Sequence, residues 1–89
     1  MNVEDLAKAL EQTVNFLKHS EDSFWSALSV EEIIEQLENE LNKIKNSQQV
    51  DGKRLGYLFA PTGCIQDVSI DNGWGSDFIE LSGVIDRFT

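Results

Sequence analysis

Apolar side chains along this chain recur at steps of three and four rather than two, the spacing that lines one face of a helix. Residues 3–19 place Val3, Leu6, Leu10, Val14 and Leu17 on such a stripe. Asn2 can cap its start, with Glu4 and Asp5 at the positive end of the helix dipole and Lys18 and His19 at the negative end. A second stripe runs Val30, Ile33, Ile34, Leu37, Leu41, Ile44, introduced by a Ser-x-x-Glu capping box at Ser29 and Glu32. Its outward positions are rich in Glu38, Asn39, Glu40 and Asn42. The intervening SEDSFWSAL breaks the rhythm. It reads as a turn or short helix over 23–28 that inserts Trp25 and Leu28 into the core, the alternative being one continuous helix from about 22 to 46.

Further along, Asp51 caps a short helix whose apolar positions are Leu55, Leu58 and Phe59, although Gly52 and Gly56 weaken it. Pro61 and Gly63 close it. Cys64 to Ile70 carries β-branched residues in rough alternation and predicts an extended segment, one that lacks a partner strand unless it pairs with its own copy in a second chain. Ser76 and Asp77 then precede a last helix with Phe78, Leu81, Ile85 and Phe88 at steps of three and four. Gly83 within it is either a close-packing point or a mild weakness. The expected architecture is mostly α: a compact bundle of about four helices, with a short extended segment before the last, forming a single domain over residues 1–89.

Composition narrows the class. A hydrophobic fraction of 40% with 26% charged residues excludes intrinsic disorder, and no apolar run is long enough to span a bilayer. Acids rather than bases at the N-terminus argue against a secretory signal, and a single cysteine argues against a disulfide scaffold. A cytoplasmic location is the expectation. Charge adds more. Sixteen acids against seven bases leave a formal net charge of −9, with ten acids before residue 51 and six from there on. Such a surface repels phosphate backbones and anionic lipid and attracts basic proteins, so the expected partner is a basic protein, not nucleic acid or a membrane. Acidity for solubility alone accounts for the same numbers.

The residues able to carry chemistry are few. Cys64 has no base beside it, the only histidine being His19 in a distant helix, and Asp67 nearby raises rather than lowers a thiol pKa. One cysteine and one histidine make no zinc ligand set. Asp67, Asp71, Asn72 and Asp77 are oxygen ligands in a glycine-bearing stretch, but they lack the alternation and terminal glutamate of an EF-hand loop, and Asx turns explain them equally. No catalytic residue, metal or cofactor is therefore assigned. Trp74, between Gly73 and Gly75, either folds back over the core or presents itself as an interface anchor; folding back is favoured.

WSAL at Trp25–Leu28, the pair Leu58 and Phe59, Gly63, and the pair Gln66 and Asp67 follow one another in an order that resembles a family of small uncharacterised bacterial helical domains. The likeness would extend over about residues 6–88. Ala60-Pro61-Thr62 stands where that family tends to be glycine-rich, and Gln66 where asparagine is usual. The resemblance implies a helical fold and carries over no catalytic residue.

The resulting expectation is a non-enzymatic protein-binding module, of the immunity or inhibitor kind, that docks an acidic surface on a basic partner. Its binding residues would be Glu35, Glu38, Asn39, Asn42, Asp67, Asp71 and Trp74. The alternative is a structural or regulatory homo-oligomer, a homodimer in its simplest form, pairing through residues 64–74.

Overall fold

A computed structural model describes residues 3–61 and 63–88. The helical spacing holds throughout. The described residues form five helices, α1 (Val3–Lys18), α2 (Val30–Lys45), α3 (Gly52–Leu58), α4 (Cys64–Asp71) and α5 (Gly75–Phe88), and no strand. Helix α1 is the centre of the assembly, packing against α2 and against α5, while α3 and α4 both pack on α5. The apolar stripes meet in one core whose fully buried members include Leu6, Leu10, Leu17, Ile33, Leu37, Leu55, Leu58, Ile65, Val68 and Ile85. The Cα radius of gyration is 11.9 Å, against about 12 Å for a closed chain of this length, so the five helices fold in on one another rather than trailing out.

Local chemistry sets the ends of the helices. Ser29 Oγ accepts from Glu32 N at 3.1 Å and Glu32 Oε1 accepts from Ser29 N at 3.1 Å, which completes the expected capping box. Asp51 Oδ1 accepts from Arg54 N at 3.0 Å and starts α3 as expected. Asn2, expected to cap α1, and Thr62 lie outside the described residues. At the other ends α2 and α4 close with the same pattern. Past α2, Gln48 N donates to Lys43 O (2.7 Å) and Ser47 N to Ile44 O (3.1 Å); past α4, Trp74 N donates to Ser69 O (2.8 Å) and Gly73 N to Ile70 O (3.3 Å). These are paired six-to-one and five-to-two bonds around a left-handed residue, Ser47 at φ 56° and Gly73 at φ 82°.

The structure departs from the sequence expectations at several points. Cys64 to Ile70 is helical, not extended, with Asp67 N donating to Gly63 O and Asn72 N to Val68 O. A helix satisfies these backbone groups without a partner strand, and Cys64, Ile65, Val68 and Ser69 then share one buried face, so burial overrides β propensity. The count of helices rises to five accordingly. Trp25 is 75% exposed, not inserted, because Ser23 turns inward in its place; Leu28 is half-buried against the core as expected. The stretch before Ser29 is not continuous with α2, since Ser29 is extended (φ −71°, ψ 159°). Glu40, assigned to the outward face of α2, is 4% exposed. A Cβ on Gly83 would meet nothing within 4 Å, so that glycine is not a close-packing point.

Candidate functional site

Two separate surfaces receive the residues singled out by the sequence. Glu35, Glu38, Asn39 and Asn42 all lie exposed on α2. Glu35, Glu38 and Asn42 follow one another at steps of three and four and share a helix face, while Asn39 and Asn42 rim an open polar bowl of about 370 Å³ between α2 and the α3 approach. Glu40 forms the floor of that corner. Its Oε1 accepts from Asp51 N at 2.7 Å and its Oε2 from Lys43 Nζ at 3.0 Å, so one buried carboxylate ties the start of α3 to α2. Arg54, on the same rim, donates to Gln36 Oε1 at 2.9 Å. Gln36, Glu40, Lys43, Asp51 and Arg54 thus all have structural partners in this corner. Glu38 also borders a shallow depression of about 250 Å³, lined in addition by Glu11, Asn15, Lys18 and Lys45.

Asp67, Asp71 and Trp74 belong to the second surface, the junction of α4 and α5. Trp74 folds back: it is 5% exposed, stacks on Phe16 with ring centroids 4.8 Å apart, and donates from Nε1 to Ser20 Oγ at 2.9 Å. Ser20 Oγ in turn donates to Phe16 O at 2.8 Å. Asn72 bridges the same gap, its Oδ1 accepting from Glu21 N and its Nδ2 donating to Glu21 O, both at 2.9 Å. Ser23 Oγ donates to Asp71 Oδ2 at 2.5 Å. The junction thus clamps the connector between α1 and α2, and these oxygens are occupied by the fold rather than poised for a cation. Asp67 is half-buried in the first turn of α4.

The clamp has a consequence at the surface. Asp22 Oδ1 accepts from Val30 N at 2.7 Å and Trp25 N donates to Ser23 Oγ at 3.2 Å, so the connector is held on both sides of its tip. At that tip Phe24 is 89% exposed and Trp25 75%, in an edge-to-face pair with centroids 5.2 Å apart. Sequence reasoning missed this pair by treating an aromatic beside a helix start as core. The signal that could have found it is the run of serines around FW, whose hydroxyls take up backbone groups within a loop.

Reactive groups are not brought together. Burial pushes the Cys64 thiol above its ordinary pKa, with Asp67 adding in the same direction against weaker opposing backbone hydrogen bonds, which makes it a poor nucleophile at neutral pH. His19 Nδ1 lies 2.9 Å from Asn15 O, closing the end of α1. Among the described residues no group of three or more His, Cys, Asp or Glu is placed to hold a metal ion, and no helix is long and apolar enough to cross a membrane. No protein-family model, curated protein or solved structure matches the chain.

Proposed function

We propose that this protein is a non-enzymatic binding module, of the immunity or inhibitor kind, that docks an acidic surface on a basic protein. The observation that carries this reading is the outward face of α2. Glu31, Glu35 and Glu38 are exposed there beside Asn39 and Asn42, on a chain of net charge −9, while the neighbouring Glu40 is turned inward to a structural task. Exposed like charges on a rigid helix raise encounter rates with a cationic surface and set orientation, at some cost in self-repulsion. The inert surroundings of Cys64 point the same way.

Capture of partners by the immobilised chain at low and at high salt tests the reading. Basic proteins should be retained at low salt and released at high salt, and the Glu35→Gln/Glu38→Gln variant should retain less. Binding that ignores salt, or an unchanged Glu35→Gln/Glu38→Gln variant, would refute electrostatic docking. A second reading, self-association through residues 64–74, draws on the exposure of Ile70 (61%) on α4, whereas Trp74, buried on Phe16, is not available to such a contact. With α4 helical, the contact would be helix to helix rather than a strand ladder. Light scattering that finds only monomer at high micromolar concentration would remove it.

A further inference from the structure

We propose that Phe24 and Trp25 form the anchor by which this protein grips a cationic segment of a partner protein that has an apolar face. The inference rests on the binding-module reading above and names the contact that would give it residence time. Two adjacent aromatics exposed to 89% and 75% are the most solvent-exposed large apolar side chains of the described chain. Scattered exposed apolar residues need no explanation, but a contiguous aromatic pair on a fixed loop is the composition of an interface anchor.

The loop does not leave them outside for want of order. Ser23 is 7% exposed and bonded to Asp71; Asn72 makes two bonds to the backbone of Glu21; Asp22 holds Val30 N; and Ser26 Oγ donates to Leu28 O at 2.7 Å while accepting from Leu28 N. Ser23, not either ring, takes the inward position. The backbone that carries the rings is thus held in place before any partner arrives, which lowers the entropic cost of ordering the loop on binding.

The charges around the pair select the occupant. Glu21, Asp22, Glu31, Glu32 and Asp71 are all exposed and lie on the loop, on the first turn of α2 or on the clamp itself, and residues 20–32 contain no Lys or Arg. A second copy docking loop to loop about a two-fold axis would set these acids against their own equivalents. An anionic bilayer is repelled in the same way. A protein segment with an apolar face flanked by Lys or Arg satisfies both parts of the surface, rings against the apolar face and carboxylates against the cations.

The test uses the whole chain and a labelled peptide carrying Leu and Lys at helical spacing as the probe, read by fluorescence anisotropy. The wild type should bind it, with affinity falling as salt rises. The Phe24→Ala/Trp25→Ala variant, which should melt like the wild type because both rings are exposed, should bind at least about 30-fold more weakly, the scale of a hot-spot aromatic. Zwitterionic phosphatidylcholine vesicles should leave the tryptophan emission of the wild type unchanged. Failure of the wild type to bind the peptide, equal binding by the aromatic variant, or a blue shift with vesicles would each overturn the proposal. Should the aromatic variant keep its affinity while Glu35→Gln/Glu38→Gln loses it, the anchor fails and the acidic-module reading stands. If the aromatic variant loses affinity and salt still weakens binding while the glutamate pair has no effect, the anchor stands with the loop's own carboxylates and the α2 face does not; binding indifferent to salt would overturn the cationic occupant.

Discussion

Ser47 and Gly73 occupy the same place in the same helix-ending motif, and exchanging their chemistry should move stability in opposite directions. Each closes its helix with two backbone bonds, and each sits in the left-handed region, at φ 56° and φ 82°. A residue with a Cβ is disfavoured there by about 1–2 kcal/mol, whereas glycine is not; glycine instead costs about 0.5–1 kcal/mol through the extra freedom of the unfolded chain. Ser47 is exposed and its hydroxyl makes none of the hydrogen bonds that define the turn, so Ser47→Gly should stabilise by about 0.5–1 kcal/mol, the difference between those terms. For Gly73→Ala the new Cβ would meet nothing within 4 Å, so the same two terms apply with the sign reversed and the expected destabilisation is about 0.5–1 kcal/mol. Urea denaturation followed by far-ultraviolet circular dichroism measures both. Unchanged m-values would confirm that the folded and unfolded ends of the transition are the same for both variants. On a chain this short each kcal/mol corresponds to about 4–8 °C in Tm. A neutral or destabilising Ser47→Gly alongside a neutral Gly73→Ala would refute the assignment of both turns.

Three other expectations follow from single contacts. A Cβ on Gly63 would lie 2.9 Å from Ala60 O and 3.3 Å from Tyr57 O, both backbone atoms that cannot swing aside, so Gly63→Ala should destabilise by about 1–3 kcal/mol in thermal or chemical melts. Glu40→Ala removes the buried carboxylate that accepts from Asp51 N and Lys43 Nζ and should cost about 1–3 kcal/mol, with Glu40→Gln, which keeps an acceptor, costing less; equal losses would show that the carbonyl oxygen does not reach Asp51 N. Because burial raises the Cys64 pKa, its proton is held more tightly in the folded state: the stabilisation is complete below the ordinary thiol pKa and lost as pH rises through the raised one, so stability should fall across the alkaline range relative to Cys64→Ala. Labelling by an aromatic disulfide reagent should accordingly be slow at neutral pH and accelerate in denaturant.

The parts of the fold that were legible in the sequence are those where periodicity and capping agree. Helix α2 shows this best, since its stripe and its Ser29–Glu32 box locate the same start, and both are present in the structure. Helix α4 was not legible because eight residues hold barely two turns, too few for a period of 3.6 to outweigh the β-branched look of Ile65, Val68 and Ile70. The better signal lay one residue further on, where Asn72-Gly73 ends a helix by the left-handed route and implies that a helix precedes it. Trp74 read correctly because glycines on both sides leave a tryptophan free to return to the core, but its stack on Phe16 and its bond to Ser20 join residues more than fifty positions apart. Glu40 and Trp25 misled for the opposite reasons: a carboxylate became buried because it had two donors to receive, and an indole stayed outside because a serine could satisfy the loop's interior and it could not.

The exposed aromatic tip and the acidic face of α2 answer to different parts of a binding reaction, which is why they are separable on the proposed reading. Surface carboxylates act at a distance, so they govern the rate of encounter and its dependence on salt, within a range of about 8–10 Å at physiological ionic strength. Aromatic burial acts only on contact and governs how long the complex lasts. The clamp at Asp71, Asn72 and Trp74 connects the two physically, because it fixes the loop that carries Phe24 and Trp25 directly ahead of the first turn of α2. Loosening it by Asn72→Ala would leave both rings and every carboxylate in the chain yet allow the tip to sample other orientations. The loss would then fall on affinity through preorganisation alone, distinct from the removal of either the charge or the apolar area.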